Sequence, residues 1–313
     1  MAIKVRVKDY LDLFRFSLGI LSCIALLVAG FIVYVLRGED LDFIEFLFSN
    51  GVINIQGIIM GMISVLLLAS AIEAINDVYD VETDMKNERF DRPIVRGAFT
   101  PEYVRNLCVL FFSLSIALSV LLVIFFQANA VIIFFNMLCV FIGVGYNYIK
   151  RTGFAGNMWV SIGYVAPIFL GFFLLKPQED LILLNCILML IATFFLATGR
   201  EIVKDIQDYE GDKASNMNSL AVRYGPMKAS FVAMLFFTSA IISATLAGLF
   251  VYKNLIFWSF LVALIVILGI TSYTILTESP VSGGKKARKY TRWSLWWALA
   301  AFFFGVFFIN YPN

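Results

Sequence analysis

The chain has 313 residues, of which 61% are hydrophobic and 15% charged, with a formal net charge of +2. Soluble domains carry about 25% charged residues, so this composition excludes an ordinary soluble fold and points to a multi-pass membrane protein. Histidine is missing, which rules out histidine-based triads and histidine-ligated metals, and Cys23, Cys108, Cys139 and Cys186 stand far apart in apolar runs without zinc or disulfide spacing.

Lys4, Arg6, Lys8 and Arg15 precede an apolar run over Phe16–Leu36. That run is too long for the apolar core of a secretory leader, and no small-residue cleavage site follows it. Residues 4–15 mix charge with Val5, Tyr10, Leu11 and Phe14, which suits either a short helix on a membrane surface or a ragged start of the first spanning helix. A bilayer core needs about 20 apolar residues as helix. Charge-free windows of that order fall at 16–36, 46–72, 106–149, 152–175, 181–199, 229–252, 254–277 and 293–313. The long window 106–149 divides at Gln127-Ala128-Asn129 into two helices and a tight turn. The expected fold class is therefore all-α: a multi-pass transmembrane bundle of nine helices, in one domain over residues 1–313.

Lys and Arg placement sets the orientation. With the N-terminus in the cytoplasm, every Lys and Arg except Arg37, Lys176 and Lys253 falls on the cytoplasmic side. The C-terminus is then outside. Loop 37–45, with Glu39, Asp40, Asp42 and Glu45, is expected as a solvated outer loop. The segment 278–292, with Gly283-Gly284 and a basic run, is expected as a cytoplasmic anchor near anionic lipid.

Two stretches look like one written twice. Residues 76–97 read NDVYDVETDMKNERFDRPIVRG, and residues 204–225 read KDIQDYEGDKASNMNSLAVRYG. Aligned copy on copy, Asp77, Asp80, Glu82, Asp84 and Gly97 fall on Asp205, Asp208, Glu210, Asp212 and Gly225. Each copy follows a long apolar run, so each is expected to continue a helix at its cytoplasmic end. Spacing i, i+3, i+7 then places Asp77, Asp80 and Asp84 on one face, and Asp205, Asp208 and Asp212 on another. Such like charges repel and need a cation. A carboxylate-amide cluster without His or Cys suits a hard divalent ion, Mg²⁺ above all. Arg89, Arg92 and Arg96 follow the first box, Arg200 and Lys204 precede Asp208, and Lys150 lies four residues after Tyr146. Carboxylate-held Mg²⁺ ringed by Arg and Lys is a recurrent grip on a diphosphate.

With these residues in view, the chain resembles the UbiA superfamily of intramembrane prenyltransferases. NDVYDVETD followed by DRPIVRG is similar to that family's first aspartate-rich motif. Tyr146-x-x-x-Lys150 with Gly156-Asn157 resembles its middle motif, and REIVKDIQDYEGD its second aspartate motif. The run GREIVKDIQDYEGDKA is most similar to the archaeal branch that makes digeranylgeranylglyceryl phosphate. Two departures stand out. The first helix reads Arg15-Phe16-Ser17-Leu18 where the family often has R-P-x-N, and Asn216-Met217-Asn218-Ser219-Leu220 follows the second box in place of a more regular ending.

The resemblance implies a UbiA-type bundle with a cytoplasmic-side active-site cavity built around the two boxes. It implies Mg²⁺ held by Asn76, Asp80, Asp84, Asp208 and Asp212, linking the diphosphate of a polyprenyl donor to the protein. Asp77 and Asp205 are either ligands or supports for the ligands. Lys150, Tyr146, Arg92 and Lys204 hold the leaving diphosphate, and Glu73 is a candidate to take the acceptor's proton. The other partners implied are a lipid-like or aromatic acceptor and membrane lipids, with no nucleic acid. An aromatic prenyltransferase would share the boxes and differ only in its acceptor pocket. A divalent-cation transporter would need carboxylates near the bilayer midplane, and a CDP-alcohol phosphotransferase would need a D-G-x-x-A-R segment, which the sequence lacks.

Overall fold

The computed structural model describes residues 5–37, 55–86, 89–149, 153–214 and 217–309. Among the described residues all regular secondary structure is helical, with no strand. The helices are α1 (Val7–Leu13), α2 (Phe16–Leu36), α3 (Ile55–Tyr79), α4 (Val81–Lys86), α5 (Pro101–Phe126), α6 (Val131–Ile149) and α7 (Phe154–Leu174). They continue as α8 (Asp180–Gln207), α9 (Tyr209–Ala214), α10 (Leu220–Tyr224), α11 (Pro226–Ala247), α12 (Leu255–Thr277) and α13 (Pro280–Val306).

Eight of the described helices are long and apolar enough to cross a membrane. They match eight of the nine expected spans, including the division of 106–149, where α5 stops at Phe126 and α6 starts at Val131. The ninth window, 293–313, falls on the second half of α13, whose first half carries the basic run, and its last four residues lie outside the described ones. The loop beyond Arg37, expected on the outer side, the first part of window 46–72, Lys150 and Asn216 also lie outside them.

Local chemistry marks the helix ends. Thr100 Oγ1 accepts from Tyr103 N–H at 3.2 Å and Pro101 opens α5, the arrangement that satisfies a free N–H and wastes none on proline. Asn254 Oδ1 caps α12 by accepting from Phe257 N–H at 2.9 Å. Gln127 (φ 52°) ends α5 in the left-handed region.

Contacts divide the chain into two compact units, Met1–Gly30 with Phe43–Asn147 and Ala166–Lys176, and Phe31–Asp42 with Tyr148–Val165 and Pro177–Asn313. In the first, α3 packs along α5. Leu13, Leu68, Ala71, Ala74, Ile75, Ile94, Cys108, Phe112 and Cys139 form the core. A polar knot crosses it: Asn136 Nδ2 donates to Ser119 Oγ at 2.7 Å and to Ser115 Oγ at 3.0 Å, and Ser64 joins Ser115 at 3.0 Å. In an apolar interior such side chains satisfy one another and tie helices together. In the second unit α8 packs on α11 and α13, and α12 on α13. Gly199 lets the Phe237 ring close on α8, and Ser243 Oγ donates to Leu188 O at 2.8 Å.

Candidate active site

Both acidic boxes start as the last turn of a long helix and break at the middle aspartate. In the first unit α3 ends at Tyr79, Asp80 forms a turn and α4 resumes at Val81. In the second, α8 ends at Gln207, Asp208 turns at φ −89°, ψ 5° and α9 resumes at Tyr209. The expected single helix through each box is thus two helices. Aspartate disfavours helix interiors because its carboxylate competes for nearby backbone groups, and Asp208 sits in the bridge region.

The backbone hydrogen bonds repeat as the residues do. Asp80 N–H donates to Asn76 O at 3.0 Å, Asp84 N–H to Asp80 O at 2.8 Å and Arg89 N–H to Asp84 O at 2.9 Å. In the second box Asp208 N–H to Lys204 O, Asp212 N–H to Asp208 O and Met217 N–H to Asp212 O each measure 2.9 Å. Gly97 (φ 77°) and Gly225 (φ 88°) then turn both chains through a region that glycine enters without steric cost.

The first box is bound up in ion pairs. Asp77, 3% exposed, accepts from Arg15 Nη2 at 3.0 Å and from Arg92 Nη1 at 2.9 Å. The other amino group of Arg15 pairs with Glu73. Arg92 Nε stands 4.0 Å from Asp84 Oδ2. Burial pushes the Asp84 carboxyl above the usual carboxylate range, with Arg92 opposing and Asp80 reinforcing the shift. Asn76 Oδ1 accepts from Asn147 Nδ2 at 3.0 Å. Asn76, Asp80 and Tyr146 are half-buried. Arg96 turns to Asp9 and Asp12 on α1, and Arg89 pairs with Asp91 at the surface.

The second box uses neutral donors. Asp205 accepts from Asn157 Nδ2 at 2.8 Å and from Leu220 N–H at 3.4 Å. Asp208 Oδ1 accepts from Gln207 Nε2 at 3.1 Å. Asp212 is half-buried, and burial, with Asp208 adding to it, raises its carboxyl. One turn back, Arg200 Nη1 donates to Tyr164 Oη and Glu201 Oε1, both at 2.6 Å, and Lys204 Nζ stands 3.6 Å from Glu201 Oε2.

Several expected residues take other partners. Arg92 spends its guanidinium on Asp77, and Glu73 is engaged by Arg15. Asn147 and Gln207 were not singled out by sequence reasoning, and Arg15 was noted without a partner. Arg15 reads there as an N-terminal charge and as the start of the segment that departs from R-P-x-N, and Asn147 sits unremarked inside the Tyr146 motif. Among the described residues no three Asp, Glu or Cys side chains close up to hold a metal by themselves. The box residues fit Mg²⁺ all the same. Asn76, Asp80, Asp84, Asp208 and Asp212 offer oxygen alone, and Mg²⁺ is usually held by one or two carboxylates with water and substrate phosphate completing its shell.

Residues 45–296 match the profile of the UbiA prenyltransferase family. The chain is 33% identical over 261 residues to the digeranylgeranylglyceryl phosphate synthase of Saccharolobus solfataricus, covering 82% of this chain and 87% of that one. To the synthase of the same name from Metallosphaera sedula it is 32% identical over 254 residues, covering 79% and 83%. The fold superposes on a solved digeranylgeranylglyceryl phosphate synthase with a TM-score of 0.75 at 20% identity, covering 96% of this chain and 98% of that one. It superposes on a UbiA homolog from Archaeoglobus fulgidus bound to DMAPP and Mg²⁺ with a TM-score of 0.65 at 18% identity, covering 94% and 99%. The family profile runs through both boxes and both compact units, and the chain belongs to the UbiA prenyltransferase family.

Proposed function

We propose that this prenyltransferase moves a geranylgeranyl group from its diphosphate to the glycerol hydroxyl of geranylgeranylglyceryl phosphate. The observation that carries this reading is the likeness to synthases of that name over four-fifths of the chain. The donor class agrees with the DMAPP and Mg²⁺ bound by the Archaeoglobus homolog.

In the reaction the allylic C1–O bond breaks and its electron pair leaves with the diphosphate. The glycerol oxygen forms the new C1–O bond and gives up its proton. Magnesium, when bound, supplies positive charge against that building on the departing oxygens. Asn76, Asp80, Asp84, Asp208 and Asp212 are the residues we assign to holding it. Asp77 and Asp205, each already engaged inside its own unit, hold the box helices in place. Lys150, Tyr146 and Lys204 hold the diphosphate. Arg92 acts through Asp77 and Asp84. An apolar, water-poor surrounding protects the allylic cation from hydrolysis. The bias of Lys and Arg puts the N-terminus and both boxes in the cytoplasm and the C-terminus outside.

The test is a transfer assay on purified protein in lipid, with labelled geranylgeranyl diphosphate, Mg²⁺ and either geranylgeranylglyceryl phosphate or 4-hydroxybenzoate. A labelled diether, lost with EDTA and in Asp84→Ala and Asp208→Ala, is expected. Product from the aromatic acceptor alone would overturn the acceptor assignment and leave the donor chemistry standing.

A further inference from the structure

The sequence leaves Gly283-Gly284 and the cations after it as a surface anchor. Within the second unit they do something more specific. Helix α13 packs on both α8 and α9, the two helices that flank the Asp208 break. The backbones of α13 and α8 come close at Gly284. A Cβ there would lie 2.6 Å from Gln207 Cα and 2.8 Å from Gln207 N. Backbone meets backbone at the residue that ends α8, immediately before Asp208.

One turn further along α13, Arg288 Nη1 donates to Gln207 Oε1 at 3.4 Å. The other end of the same amide, Gln207 Nε2, donates to Asp208 Oδ1 at 3.1 Å. A glutamine satisfies a cationic donor and a carboxylate together in one orientation only, oxygen to arginine and nitrogen to aspartate. Arg288 therefore fixes the sense of the amide, and the amide fixes one oxygen of Asp208. Arg288 Nε is buried without a partner, so its guanidinium is held in place by packing rather than by further hydrogen bonds. In the first box the residue in the place of Gln207 is Tyr79, which is 43% exposed and has no side-chain amide.

We infer that α13 is a positioning element for the second box: Gly284 seats it on Gln207, and the relay Arg288–Gln207–Asp208 sets the carboxylate that meets the metal. This rests on the assignment of Asp208 as a magnesium ligand. Groups that orient a ligand without touching the metal typically change affinity or activity about 10- to 100-fold when removed.

Initial rates of the full-length enzyme in lipid, measured against Mg²⁺ at saturating donor and acceptor, and Mg²⁺-dependent binding of labelled geranylgeranyl diphosphate without acceptor, test it. Gln207→Leu and Arg288→Met are expected to raise the Mg²⁺ concentration for half-maximal rate and binding about tenfold while melting as the parent does. Arg288→Lys is expected to recover part of that loss. Gly284→Ala is expected to show the same Mg²⁺ shift; if it does not fold, the two side-chain variants decide. Gln207→Leu and Arg288→Met with the parent's Mg²⁺ response would overturn the relay, and an inactive Asp208→Ala beside them would show that the metal assignment survives. A fully active Asp208→Ala would sink both.

Discussion

Asp77 and Asp205 stand at the same place in the two boxes and are held by opposite chemistry. Two guanidinium groups, from Arg15 and Arg92, close on Asp77. Asp205 is held by the side-chain amide of Asn157 and the backbone N–H of Leu220. The duplication thus extends to the backbone and stops at the counter-charges. In the first unit Arg15, Arg92, Glu73 and Asp77 form a set whose charges cancel, and each member depends on the others.

That dependence makes Arg92→Ala costly. Removing one partner of a buried ion pair leaves a charge without compensation, at about 3–5 kcal/mol. Arg15 stays on Asp77, so the lower end, about 3 kcal/mol, is expected. Unfolding in mild detergent should show the loss directly. A variant as stable as the parent would mean that Arg15 alone neutralises Asp77.

The same reasoning predicts the reverse sensitivity at Asp205. Asn157→Asp would set a second carboxylate where the Asn157 amide now donates at 2.8 Å. The bond is lost and repulsion replaces it, so a cost of at least about 1–3 kcal/mol is expected. Asn157→Ala, which removes the donor without adding charge, should cost less than Asn157→Asp. The opposite ranking in unfolding measurements would show that a cation reaches Asp205.

Much of this was legible in the sequence, because period and repetition are local. The charge-free windows locate eight described spans, and the turn at Gln127-Ala128-Asn129 appears where α5 gives way to α6. The two boxes announce themselves by their aspartates and end at glycines that are both left-handed. What pairs with what was not legible. Arg15 finds Asp77 only because α1 and α2 fold back on α3, and no pattern near either residue encodes that. Asn147 and Asn157 carry no charge and so gave no electrostatic signal. The start of α13 was missed for a related reason. Its cations, Lys285, Lys289 and Arg292, lie exposed along one side of a helix that was already under way from Pro280.

The N-terminal helix offers a pH test. Asp9 is 2% exposed on α1. Its carboxyl is held below the usual range by the Arg6 backbone N–H at 2.7 Å, and then by the hydrogen bond and charge of Arg96. A carboxyl lowered by folding adds stability above its unfolded value, about pH 3.9. That contribution is lost as pH falls through the folded value. Unfolding midpoints followed from pH 6 down to pH 3 should therefore fall more for the parent than for Asp9→Asn. Parallel curves would show that folding does not lower the Asp9 carboxyl, and that neither the Arg6 N–H nor Arg96 adds pH-dependent stability.

Two glycines predict opposite outcomes for one substitution. In the first unit a Cβ on Gly171 would lie 2.3 Å from Leu26 O and 2.8 Å from Ala29 Cβ, so α7 and α2 touch at that point with no room for a methyl group. Backbone cannot rotate away as a side chain can. Gly171→Ala should cost at least the 1–3 kcal/mol typical of overpacking, about 3 kcal/mol here. Gly269, inside α12, has nothing within 4 Å of the same added atom. There the only change is the smaller loss of backbone freedom on folding, and Gly269→Ala should gain about 0.5–1 kcal/mol. Melting temperatures of the two variants in one detergent should move in opposite directions. A stable Gly171→Ala would mean that α2 and α7 can part at Leu26 without loss, and that their close approach is not what holds this part of the first unit together.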